Sequence, residues 1–153
     1  MRTSDAARVE AAYRATHRRL WRALLVWSGR PDVATDAEAE AFAQVCGRAA
    51  DVENIEAWVW RAAFRIAAGL LAERPTPPDE RPTTIDPVPV EAFELAEALA
   101  ELTELQRQCV VLRHVGGFSS AQIAEQLDST PASVRVQIHR GLNRLRQIME
   151  PNT

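Results

Sequence analysis

Arginine and amide side chains recur between residues 135 and 146 at spacings that a helix would gather: Arg135, Gln137, Arg140, Arg144 and Arg146, with His139 among them. A guanidinium can bond a guanine edge through two N–H donors, and a glutamine amide can do the same for adenine. Arginines beside such a face meet phosphates. Thr130 and Ser133 stand at the head of the same stretch, where the unpaired amides of a helix start favour an anion. The chemistry is recognition of duplex DNA, with Arg135, Gln137 and Arg140 in reach of base edges and Arg144 and Arg146 facing phosphates. A basic helix face is ordinarily just a solvated one, so the reading depends on the elements that present it.

Nothing else in the chain has the spacing of a reactive site. His17, His114 and His139 stand alone, and Cys46 and Cys109 lack metal-ligand or redox spacing. Both cysteines read as reduced, buried, small apolar residues. No carboxylate pair, activated nucleophile or glycine-rich phosphate loop is present, and Gly116-Gly117 reads as a helix stop. The expectation is therefore no catalytic residue, no metal and no cofactor.

Charge is unevenly distributed. The 153 residues carry a net charge of −3, and every one of the 18 basic residues is arginine. Residues 79–104 hold eight acids against Arg81, whereas residues 105–149 hold six arginines against Glu125 and Asp128. An acidic segment thus precedes a basic one, which is what a phosphate-binding face requires. No apolar run approaches the roughly 20 residues of a membrane span, and the N-terminus lacks an apolar signal core. The reading is a cytoplasmic protein with no membrane association.

Alanine, leucine, glutamate and arginine dominate, and β-type alternation is scarce, so the expected fold is all-α. Prolines at 75, 77, 78, 82, 87 and 89 remove amide donors and fix φ, so no helix crosses them. This divides the chain into a helical domain at 1–74, a proline-rich linker at 75–89 and a second helical domain at 90–153. In the first, helices are expected over 6–28, over 31–48 and onward from an N-cap at Asn54, the last with Ile55, Val59, Ala62, Ile66 and Leu70 on one face. In the second, an acidic helix over 90–102 precedes helices at 106–115, about 120–127 and 131–149. Thr103…Gln106 and Ser119…Gln122 fit capping boxes, and Thr130-Pro131 is an N-cap followed by proline at the first helical position.

Two short helices around Asp128-Ser129-Thr130 make a helix-turn-helix. Small Ala124 allows close approach and Val134 anchors the second helix, on which Val134, Ile138, Leu142, Leu145 and Ile148 form the inward stripe. The second helix is then free to lie in a major groove, whose width admits one helix.

These residues carry a family resemblance. Leu102-Thr103-Glu104-Leu105-Gln106-Arg107-Gln108-Cys109-Val110-Val111-Leu112-Arg113, then Gly117-Phe118-Ser119, Ile123-Ala124-Glu125-Gln126-Leu127 and Ile138-His139-Arg140…Arg144-Leu145-Arg146 resemble region 4 of extracytoplasmic-function (ECF) sigma factors. Leu20…Leu24…Trp27-Ser28-Gly29, Asp32…Asp36…Glu40-Ala41-Phe42 and Glu56-Ala57-Trp58…Arg61 resemble region 2 more faintly. The resemblance implies that the helix-turn-helix reads the −35 promoter element and touches the β-flap of core RNA polymerase. It also implies that Asp36, Glu40 and Phe42 bind the β′ clamp, and that a separate anti-sigma protein covers both surfaces. Where the family has an Asn-containing, arginine-rich run that opens promoter DNA, this chain has Phe64-Arg65-Ile66-Ala67-Ala68-Gly69. Asp128 stands where the family has glycine. Two other readings stay open: a stand-alone helix-turn-helix regulator derived from a sigma factor, and a protein-interaction module with vestigial DNA affinity.

Overall fold

The computed structural model describes residues 3–77 and 88–150, so most of the proline-rich linker, residues 78–87, lies outside the described residues. Among the described residues every regular element is a helix: α1 (Thr3–Ser28), α2 (Pro31–Cys46), a 3-10 turn (Ala49–Asp51), α3 (Ile55–Glu73), α4 (Val90–Leu99), α5 (Glu104–His114), α6 (Ser120–Leu127) and α7 (Pro131–Met149). The chain forms two compact units, one of residues 1–24 and 30–83 and one of residues 25–29 and 84–153.

In the first unit, α2 packs on α3, and Val33, Ala34, Ala37, Ala41 and Val45 of α2, Val59, Ala63 and Ala67 of α3 and Leu20, Ala23 and Leu24 of α1 are all fully buried. The α3 face differs from the one expected. Trp60 and Phe64 are buried while Ile66 and Leu70 are only half-buried, because two large aromatic side chains offer more apolar area to cover. The buried Trp60 Nε1 donates to the Thr16 hydroxyl at 2.6 Å. Asn54 caps α3 by accepting the Ala57 amide at 3.1 Å. Arg8 ties the loop before that cap to α1, donating to the carbonyls of Ala49, Val52 and Glu53 at 3.0, 2.6 and 3.1 Å. α2 ends at Cys46 and leaves that thiol exposed, so only Cys109 is buried as expected. Gly47 caps the helix there, two residues short of the expected end.

In the second unit, α5, α6 and α7 close around Cys109, Val110, Val111, Leu112, Ile123, Ala124, Val134 and Leu145. Burial pushes the Cys109 thiol pKa up, consistent with an inert apolar role. The Trp27 ring lies under the Arg107 guanidinium, 4.9 Å from its carbon. Burial lowers the Arg107 pKa. Gly141 marks a close approach between helices. A Cβ there would stand 2.7 Å from Val110 Cγ2 and 3.3 Å from Leu102 Cδ2, so glycine lets α7 approach α5.

Candidate nucleic-acid interface

The helix-turn-helix is built by local rules. Ser119 Oγ accepts the Gln122 amide at 3.1 Å, and Gln122 Oε1 accepts the Ser119 amide at 2.8 Å, which starts α6 with both orphan donors paired. The same reciprocal pair joins Thr103 and Gln106 at the start of α5. Asp128 ends α6 in the left-handed region, φ 51° and ψ 48°. Asp enters that region more readily than most residues, so the turn is made without the family's glycine. Thr130 then caps α7, its hydroxyl accepting the Ser133 amide at 3.1 Å, and Pro131 supplies the first helical residue.

α7 presents two faces. Val134, Gly141 and Leu145 are buried, with Ile138, Leu142 and Ile148 half-buried beside them. Ala132, Val136, His139 and Asn143, at helical spacings of four, three and four, run along the opposite side. Arg135 and Arg146 stand along one edge of this strip and Arg140 and Arg144 along the other, all four exposed. His139 Nε2 and Asn143 Nδ2 lie 3.3 Å apart, and Arg146 donates to Asn143 Oδ1 at 3.4 Å.

Among the residues singled out from sequence, Arg135, Arg140, Arg144 and Arg146 are thus gathered on one accessible surface, with Thr130 at its head. Ser133 and Gln137 are half-buried at its margin, and Gln137 leans toward the packed side of the helix. The residue types of Ala132, Val136 and Asn143 carry no site signal by themselves. Their signal was present in the periodicity, since these positions lie opposite Val134, Gly141 and Leu145.

The three residues matched to a polymerase-binding helix all lie on α2, with different environments. Asp36 is exposed and its carboxylate accepts from Arg74 Nη1 at 2.7 Å. Arg74 also lies 3.6 Å from Asp32, and the Arg30 hydrogen bond holds the Asp32 pKa below the usual carboxylate range. Glu40 is exposed and accepts from Gln44 at 3.0 Å. Phe42 is only 7% exposed and meets Tyr13 edge-on, ring centres 5.0 Å apart. Its ring therefore packs α2 against α1. No group of acidic, histidine or cysteine side chains among the described residues could hold a metal ion. No helix among them is long and apolar enough to cross a membrane.

Comparison with known proteins places this geometry. Residues 92–145 match the family model described as sigma-70, region 4. The chain is similar to the ECF RNA polymerase sigma factor ShbA of Streptomyces griseus, 42% identical over 52 residues. That stretch spans 34% of this chain and 27% of the relative. Its fold is similar to that of the sigma factor RpoE from Bartonella quintana, solved in complex with the anti-sigma factor NepR. That likeness has a TM-score of 0.76 at 16% identity and covers 94% of this chain and 98% of the other. Residues 92–145 thus resemble sigma-70 region 4, the chain spans about a quarter of the length of the curated relative it matches, and its fold is that of a solved sigma factor.

Proposed function

We propose that this protein is an RNA polymerase sigma factor that directs promoter-specific initiation, with α7 reading the −35 element in the major groove. The carrying observation is a fully capped helix-turn-helix whose second helix exposes a strip flanked by four arginines, inside the segment that matches region 4. Arg135 and Arg140 reach base edges, while Arg144, Arg146 and the amides behind Thr130 hold phosphates. The chain binds and positions, and catalyses nothing itself. It works in the cytoplasm, where the promoter and the polymerase are.

In this reading the region 2-like part, to residue 74, engages the β′ clamp of core polymerase through Asp36 and Glu40, with Phe42 setting the pose of α2 from beneath. The region 4-like part, from residue 90, meets the β-flap as well as DNA. An anti-sigma partner is supported by the RpoE structure, which holds one. In transcription reconstituted with core polymerase, Arg135→Ala and Arg140→Ala are each expected to weaken promoter use by roughly 1–3 kcal/mol. Unchanged promoter use by both variants refutes α7 as the reading helix.

One observation favours a second reading, a stand-alone regulator. The exposed side of α3 carries Arg61 and Arg65 but then Ala68 and Gly69, a thin charge for holding a separated strand, which calls for a cationic groove with stacking platforms. Binding of the free protein to duplex DNA as a dimer, without affinity for polymerase, would select it.

A further inference from the structure

The strip that α7 turns outward is not uniformly polar. Val136 is 45% exposed at its centre, in the second turn of the helix, and Ala132 lies one turn before it, also exposed. A lone exposed valine is ordinary on a protein surface. This one sits between two rows of arginine, Arg135 on one side and Arg140 on the other, on the N-terminal half of a helix whose cap and turn direct that half outward. In a helix-turn-helix the N-terminal half of the second helix is the part that meets base edges.

The floor of the major groove carries hydrogen-bonding groups on every base pair but only one apolar group, the C5-methyl of thymine. An aliphatic side chain set against any other position would strip water from a donor or acceptor and leave it unpaired. We propose that Val136, with Ala132 beside it, is a specificity-determining residue that selects thymine by packing against its methyl group. Arg144 and Arg146 on phosphates, with Arg135 and Arg140 on the base edges to either side, hold the valine at the groove floor. This rests on the reading of α7 as the DNA-recognition helix and adds which base property its centre recognises. Gln137, half-buried at the margin, is correspondingly not the main base reader.

The test uses the full-length protein and the duplex it selects from a randomised pool. Each thymine in that duplex is replaced in turn by deoxyuridine, which removes the methyl and leaves the pairing intact. At one position or two adjacent ones, the replacement should weaken wild-type binding about fourfold, the worth of one buried methyl-sized group. Val136→Ala should bind the thymine duplex more weakly by a similar factor and lose the distinction between the two bases. Because Val136 is exposed, the variant should keep its helical circular dichroism. Sequence-selective binding with no deoxyuridine effect anywhere, or a full effect retained by Val136→Ala, overturns the proposal while leaving α7 as the reading helix. Failure of the wild type to select any duplex, alone or with core polymerase, removes the recognition-helix reading and this proposal together.

Discussion

At the scale of single residues, two buried groups carry consequences that can be measured. Glu38 is 8% exposed on α2, and burial raises its pKa to about 7. The His17 Nδ1 lies 3.9 Å from its carboxyl. A carboxyl that stays protonated in the folded chain but ionises when unfolded favours folding below the unfolded pKa, and that advantage is lost as pH rises from about 4.5 to about 7. Glu38→Gln, which cannot ionise, should therefore flatten the fall in urea stability across that window. It should make the protein more stable than wild type at pH 8, by about 2 kcal/mol. An unchanged pH profile would mean that Glu38 is solvated as a carboxylate. Gly141 is the second such residue. Alanine there gains about 1 kcal/mol of helix propensity but drives a methyl to 2.7 Å from Val110, a stiff β-branched neighbour. Overpacking of this kind costs about 1–3 kcal/mol, so Gly141→Ala should lower stability by about 1 kcal/mol in urea denaturation. A stabilised variant would show that α5 and α7 have room to separate.

At the scale of elements, helix starts were the most legible part of the chain. Caps are local: Thr103, Ser119 and Thr130 each needed only the next three residues to be recognised, and each forms the expected bond. Helix faces were less legible where large aromatics compete with the aliphatic period. Trp60 and Phe64 took the buried side of α3 from Ile66 and Leu70 for that reason. Two features of the candidate sites needed tertiary contacts. Phe42 carries a residue type that suits a partner surface, and only its contact with Tyr13 reveals a core role. The close approach at Gly141 depends on Val110 and Leu102, more than 30 residues away in sequence. The turn offers a further prediction at this scale. Alanine at Asp128 loses a side chain that tolerates the left-handed region, so Asp128→Ala should cost about 1 kcal/mol. Thr130→Ala should cost about as much by orphaning the Ser133 amide. Both losses should appear as lowered melting of helical circular dichroism. Thr130→Ser should keep most of the wild-type stability, and a Thr130→Ala variant as stable as wild type would discount the cap.

At the scale of the whole molecule, a net charge of −3 is compatible with the proposed DNA binding because the acids and the arginines occupy different segments. With Arg135, Arg140, Arg144 and Arg146 as the phosphate and base contacts, log affinity should fall against log salt with a slope of about −2 to −4. Neutralising Arg144 should reduce that slope by about 1 without changing the preferred sequence. A salt-independent affinity would place the contact elsewhere. In the proposed function, the same separation leaves Asp36 and Glu40 on the first unit as the acidic polymerase-binding face and the arginines on the second as the DNA-binding one.

The central claim, that this chain is a sigma factor, is tested most directly by size-exclusion chromatography of the full-length protein with core RNA polymerase, run beside Glu40→Arg. Glu40 is the better probe than Phe42 because its exposed side chain can be reversed in charge without opening the core. The account predicts co-elution of the wild type and its loss or marked weakening in Glu40→Arg. Elution of the wild type apart from polymerase, while it still binds duplex DNA, would contradict it and identify a stand-alone regulator.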